Sequence, residues 1–265
     1  MGEQARPSSW LARNILGLAQ APELIAERLA AALLGADPRV QRRNDGCWAL
    51  VAAASGVPLI EECAFAVVDV ETTGVRAARD DRITEIAVVL VQGARCEVVL
   101  DLLVNPGRPI AGMVTSITGI TNAMVRAAPR FEEIAERVAD ALAGRIFVAH
   151  NARFDWFFLS SELKRVRALG LDGSRLCTVR LARNLLPGLP SYGLDSVSHY
   201  FGIENRARHR AGGDALALGR VLQRLLELAR GRGVRTLFEL EQLGHQRKKE
   251  RRGKHRRSAP ESFDH

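Results

Sequence analysis

The chain has 265 residues, 47% of them apolar and 26% charged, with a formal net charge of +8 and a pI near 10.0. That size holds one substantial domain with room for a small second one. No apolar run approaches the roughly 20 residues that cross a bilayer, and Arg6, Arg13 and Glu23 interrupt any secretory h-region. The composition therefore predicts a soluble, intracellular protein with no membrane partner.

The first sixty residues read as a separate piece. Residues 22–34 carry apolar side chains at helical spacing behind Pro22, which suits a first turn. Gly35 and Asp37-Pro38 end that helix. Residues 39–52 hold Asn44-Asp45-Gly46, a tight-turn signal, between two segments able to pair as a hairpin. One complete helix followed by an arginine-rich hairpin is similar to a winged helix or a fragment of one, and such a wing serves DNA contact, packing or partner docking. Ser55-Gly56 and Pro58 then close the region near residue 60.

From Phe65 the pattern changes. Residues 65–70, 83–91 and 97–104 predict three strands, with Gln92-Gly93 as a hairpin turn and Asn105-Pro106-Gly107 as a stop. Short connections make these an antiparallel meander. An amphipathic helix at 131–142, a short strand at 146–149 and a helix at 152–169 follow, with further helices at 192–201 and 213–229. The prediction is an α/β fold: a mixed sheet, antiparallel meander plus parallel strands, flanked by helices. The domain is expected over 61–232, after a helix-and-hairpin piece at 1–60.

Residues 233–265 read as a basic, disordered tail. Between Arg247 and Arg257 eight cationic side chains face only Glu250, which accounts for nearly all of the net charge. Such a segment is either a solvated end or a non-specific phosphate tether. Cys47, Cys63, Cys96 and Cys177 form no C-x-x-C pair and read as buried small hydrophobes in a reducing compartment.

Three clusters carry chemistry. Asp69 and Glu71 stand two apart at the end of the first strand, so both carboxylates point to one face. Like charges held together call for a cation, and an all-oxygen donor set suits Mg²⁺ or Mn²⁺. Thr72-Thr73-Gly74 follows as a close turn whose hydroxyls and N–H groups can meet a strand's terminal nucleotide. The second cluster, His150-Asn151-Ala152-Arg153-Phe154-Asp155, lies where strand 146–149 opens into a helix, with Asn151 as cap and Asp155 one turn inside. The third, His209-Arg210-Ala211-Gly212-Gly213-Asp214, places an acid at a helix start behind a loop histidine, a residue type able to take a proton near neutral pH. Each cluster alone has a plainer account as a strand end, a helix cap or a loop. Together they reach metal-assisted phosphodiester hydrolysis.

In order and context the clusters resemble the DEDD superfamily of 3′→5′ exonucleases, whose motifs D-x-E-T-T-G, H-N-x-x-F-D and H-x-A-x-x-D all stand here complete. The resemblance runs from about Phe65 to Ala229 and includes Ile117-Thr118-Gly119-Ile120-Thr121 and the segment 194–202. A histidine five residues before the last acid, with Arg210 where the sister branch has tyrosine, is similar to the DEDDh (DnaQ-like) branch. Within that branch the chain is similar to the proofreading epsilon subunit of bacterial DNA polymerase III and its stand-alone relatives.

The resemblance implies a ribonuclease H-like fold and two divalent cations, Mg²⁺ or Mn²⁺, about 3.5–4 Å apart. It implies Asp69, Glu71, Asp155 and Asp214 as metal ligands, with Asp69 bridging, and His209 as general base. Glu71 and Thr72 would meet the terminal 3′-hydroxyl, within a substrate-binding set of Glu71, Thr72, Thr73, Gly74, Asn151 and Phe154. Of these, Asn151 and Phe154 act as supporting and packing residues. Glu85 belongs to the rim of the site or, more plainly, to pairing at the core's edge, and His150 and His199 are structural. The implied activity is removal of nucleoside 5′-monophosphates from single-stranded 3′ ends, DNA ahead of RNA, in proofreading, repair or end-processing. A polymerase or repair partner and a bacterial cytoplasmic, nucleoid-associated location go with it. The alternatives are an exoribonuclease of the same branch and a non-catalytic nucleic-acid or polymerase-docking module.

Overall fold

The computed structural model describes residues 5–35, 37, 40–43, 45–50, 57–75, 80–167, 170–205 and 207–245. The chain divides into two units, Met1–Leu59 and Ile60–His265.

The first unit holds helices α1 (Ser8–Asn14) and α2 (Glu23–Leu34) and an antiparallel hairpin of β1 (Val40–Arg42) and β2 (Trp48–Leu50). The sequence predicts one helix ahead of the hairpin, and the structure has two. The missed one, α1, is only seven residues long, too short for a clear period. Helix α2 starts behind Pro22, whose φ of −53° is already helical. Gly46 takes the positive φ (79°) of the predicted turn, while Asn44 and the ends of the 39–52 segment lie outside the described residues. Trp48 is the anchor: it is buried against Leu11 and Ala30, and its Nε1 donates to Ser8 Oγ at 3.1 Å. The hairpin arginines are engaged within the unit, Arg42 with Glu27 (2.8 Å) and Arg43 with Asp45 (3.5 Å).

The second unit is built on β3 (Phe65–Thr72), β4 (Ile83–Gln92) and β5 (Arg95–Leu103), joined antiparallel as predicted. Helices α3 (Gly112–Thr118), α4 (Asn122–Arg126) and α5 (Phe131–Leu142) follow, then β6 (Ile146–Ala149) and α6 (Arg153–Arg167). Then come β7 (Arg175–Cys177), α7 (Thr178–Leu185), α8 (Leu194–Tyr200), α9 (Ala211–Gly231) and α10 (Leu237–His245). Strands β6 and β7 run parallel to β3, which gives a five-stranded mixed sheet in the order β5-β4-β3-β6-β7. The predicted mixed α/β sheet is therefore the observed one, and it matches the ribonuclease H-like architecture. No helix among the described residues is long and apolar enough to cross a membrane.

Strand alternation sorts β3 into two cores. Ala66, Val68 and Val70 face Phe131, Ile134 and Val138 of α5 and Phe158 and Leu159 of α6. Phe65 and Val67 face Leu218, Leu222 and Leu225 of α9 and Leu181 of α7. Asp69 and Glu71 continue this second face beyond its apolar part, beneath the start of α9.

Part of the segment 233–265, read as a tail, is helical: Leu237–His245 forms α10. Helix α10 buries Leu240 in the α9 core, with Leu237 and Leu243 packed beside it. Its start is a reciprocal cap, in which the Glu239 carboxylate accepts from Thr236 N–H (2.9 Å) and Thr236 Oγ1 accepts from Glu239 N–H (3.3 Å). Its end is held by Asn184, which donates to the Leu243 carbonyl at 2.6 Å. The arginine-rich stretch 247–257, like residues 168–169 at the predicted end of α6, lies outside the described residues.

Candidate active site

The acids meet where three elements end. Asp69 and Glu71 come from the last turn of the pleat in β3, and Asp214 from the first turn of α9. One carboxylate oxygen from each lies within 4.8 Å of the others. Asp155, from the first turn of α6, is buried beside them but stands outside this trio. Its charge is nevertheless the largest acting on Asp69.

Burial pushes all four acids toward the protonated form, and repulsion from the other acids adds to it at Asp69 and Glu71. The Asp69 carboxyl is raised well above its usual range, first by burial and then by Asp155, Asp214 and Glu71. Glu71 is pushed up to about 8 by burial, Asp214 and Glu85, with Arg210 opposing. Burial raises Asp155 to about 7 against the pull of two backbone N–H groups, its own and that of Val70. Asp214 is also raised by burial, less so because Asn205 and His209 hydrogen-bond to it. Four clustered carboxylates in this state need either protons or cations. Hard divalent ions such as Mg²⁺ and Mn²⁺ fit an all-oxygen donor set of this kind.

Asp214 is aimed from both sides. The Asn205 side-chain amide donates to Oδ1, and the His209 backbone N–H donates to Oδ2 at 3.0 Å. Asn205, which the sequence reading does not include, is thereby part of the support of Asp214. His209 is exposed on the loop before α9 and, though not glycine, has a φ of 58°. Asn151, likewise exposed, has a φ of 71° where β6 turns into α6, and its backbone carbonyl accepts from Phe154 N–H (2.9 Å). Only three described non-glycine residues have positive φ, so two of them flank the acids, which is where backbone strain gathers at working sites. Gly213 needs its glycine for space, because a Cβ there would strike the carbonyl of Ala207.

Other predicted residues fall into supporting places. The Thr72 hydroxyl donates to the Gly74 carbonyl, and Thr73 Oγ1 donates to Asp81 and accepts from Arg82 N–H (3.1 Å each). Both hydroxyls thus build the turn. A Cβ on Gly74 would lie 2.5 Å from an Asp81 side-chain oxygen, so a larger residue there would push that carboxylate aside. Phe154 packs on Phe158 at 4.8 Å between centroids. His150 Nδ1 meets Thr178 Oγ1 at 3.0 Å and ties β6 to α7, whereas His199 is exposed at the end of α8. Glu85 is buried, bound to Arg210 and paired across the ladder with Glu71.

A mixed sheet with two carboxylates at a strand end and two more in the first turns of neighbouring helices, beside a loop histidine, presents a donor set suited to metal-assisted hydrolysis. Residues 66–222 match the model of the RNase_T family, described as Exonuclease, and the chain belongs to that family. It is 32% identical over 192 residues to DNA polymerase III PolC-type of Caldanaerobacter subterraneus, covering 70% of this chain and 14% of that protein. It is 35% identical over 179 residues to the 3′-5′ exonuclease DinG of Bacillus subtilis (68% and 19%). With a DNA polymerase III subunit epsilon-like protein of Rhodobacter capsulatus the identity is 38% over 181 residues (67% and 26%). The chain therefore spans less than a third of the length of these curated relatives. Among solved structures it is similar to Exonuclease X in complex with 5′ overhanging duplex DNA, with a TM-score of 0.53 and 27% identity over 68% of this chain and 99% of that one. The nuclease domain of 3′hExo, a DEDDh family member bound to rAMP, shares the fold at a TM-score of 0.52 and 20% identity, over 62% of this chain and 92% of that one.

Proposed function

We propose that this exonuclease works in the 3′→5′ direction on single-stranded DNA ends, in repair, proofreading or end-processing, and releases nucleoside 5′-monophosphates. The observation that carries the reading is the convergence of Asp69, Glu71 and Asp214 within 4.8 Å, with Asp155 buried at their side. These four carboxylates would hold two Mg²⁺ or Mn²⁺ ions, which lower the pKa of water and neutralise charge on the phosphate and the leaving 3′-oxygen. His209 would take the proton of the attacking water at a ring nitrogen, from a loop whose backbone its own N–H ties to Asp214. The turn Thr72-Thr73-Gly74, closed on itself by its hydroxyls, offers backbone to the terminal nucleotide next to Glu71. DinG is named a 3′-5′ exonuclease and Exonuclease X was solved on DNA, which supports direction and substrate alike. On this reading the protein would act on bacterial chromosomal DNA, at 3′ ends that a polymerase or repair partner exposes.

The test is digestion of 5′-labelled single-stranded DNA and RNA of one sequence, with Mg²⁺ or Mn²⁺ and with a chelator control. A metal-dependent ladder that shortens from the 3′ end, faster on DNA, is expected. Faster shortening of RNA would transfer the assignment to an exoribonuclease, and no shortening of either would leave a binding module.

A further inference from the structure

The acids and His209 do not account for Glu85, a carboxylate only 2% exposed that lies directly across the ladder from Glu71. Burying a charge is costly unless it is paired and hydrogen-bonded. Here it is fully used. Both oxygens accept from Arg210 Nε (3.0 and 3.1 Å), Oε1 also pairs with Arg210 Nη2, and Oε2 accepts from the Ala211 N–H at 2.8 Å. Glu85 thus grips two consecutive residues, one through its side chain and one through its backbone, where α9 begins.

The residue just before that grip is His209. Its positive φ is unfavourable for a side chain with a Cβ, so the surroundings must impose it. Two anchors do so. On one side the His209 N–H is tied to Asp214, and on the other Arg210 and Ala211 are tied to Glu85. We propose that Glu85 is a positioning residue for His209, acting through Arg210 to hold the loop in the conformation that presents the imidazole to the acid cluster. Both Glu85 oxygens are taken up by Arg210 and Ala211, so its role runs through those residues. The inference rests on the exonuclease reading for the role of His209, but the grip itself does not.

The test compares wild type, Glu85→Gln, Arg210→Lys, His209→Ala and the Glu85→Gln/His209→Ala double variant on a 5′-labelled single strand under saturating Mn²⁺. Misplacement of a catalytic group by about 1 Å costs roughly a hundredfold. Glu85→Gln is therefore expected to lower kcat about tenfold to a hundredfold with KM within about threefold. Arg210→Lys, which keeps the charge but loses the fork, is expected to fall in between. In the His209→Ala background Glu85→Gln is expected to change kcat less than about twofold, because a group already absent cannot be misplaced. Multiplying losses in the double variant, a change confined to KM, or wild-type kcat in Glu85→Gln would overturn the proposal. If Glu85→Gln does not fold, Arg210→Lys carries the comparison, since that side chain is 40% exposed.

Limited trypsin digestion adds a readout free of activity. Wild type is expected to resist cleavage after Arg210, and Glu85→Gln to be cut there. Equal resistance in both would refute the grip. Absence of nuclease activity in wild type would sink the functional reading instead, with the trypsin comparison still deciding on the grip.

Discussion

Asp155 is the acid whose removal should make the metal-free protein more stable while destroying its activity. Its carboxyl is raised from 3.8 to about 7, because it is buried without a countercharge. A group whose folded pKa lies above its unfolded one stabilises the fold fully below the unfolded value. That contribution disappears as pH rises through the folded value. For Asp155 the loss runs from about pH 4 to above pH 7 and amounts to about 4 kcal/mol, a ceiling because Asp69 shares the same protons. Asparagine has nearly the same shape and does not titrate. It keeps an acceptor for one of the two N–H groups that the carboxylate binds, and the lost bond costs about 1 kcal/mol.

In chelator at pH 8 Asp155→Asn should therefore exceed wild type by up to about 3 kcal/mol, or roughly 6–12 °C in Tm for a unit of this size. At pH 4 the advantage should vanish or reverse slightly. Melts at the two pH values check this, and millimolar Mn²⁺ should raise the wild-type Tm at pH 8 more than that of the variant. A variant that melts at or below wild type at pH 8 would refute the picture of an uncompensated acid cluster.

Asp69→Ala and Asp214→Ala should abolish turnover, with circular dichroism unchanged, and His209→Ala should slow it by roughly 10²–10⁴-fold in the same assay. Leu240→Ala should destabilise the protein by about 2–5 kcal/mol in urea titrations, because Leu240 is fully buried; a change below about 1 kcal/mol would detach α10 from the core. Removal of residues 246–265 should weaken DNA binding and flatten its salt dependence while leaving kcat intact, as fluorescence anisotropy at several salt concentrations would show.

The parts of the fold legible in the sequence are those with long, unambiguous periods. The meander β3-β4-β5, the helix α5 and the strand β6 fall within two residues of the reading, since each is a continuous apolar run or an amphipathic helix bounded by turn residues. Strand β7 has three residues and α3, α4 and α7 have five to eight, too few to show a period. Helix α10 was within reach: Thr236-Leu237-Phe238-Glu239 spells a capping box, but the arginine-rich run beyond it drew the whole segment into the tail reading. The acids were legible because each motif is local. The support from Asn205 to Asp214 and from Glu85 to Arg210 was not. The first depends on how the loop before α9 closes, and the second on a pairing across 125 residues.

The most direct test of the central claim labels the 3′-terminal nucleotide of a single-stranded DNA and follows the first product formed with Mn²⁺. If Asp69, Glu71, Asp155 and Asp214 form a 3′→5′ exonuclease site, labelled nucleoside 5′-monophosphate should appear without a lag. It should be absent in chelator and with Asp69→Ala. Labelled oligonucleotides as first product, or equal release by Asp69→Ala, would contradict it.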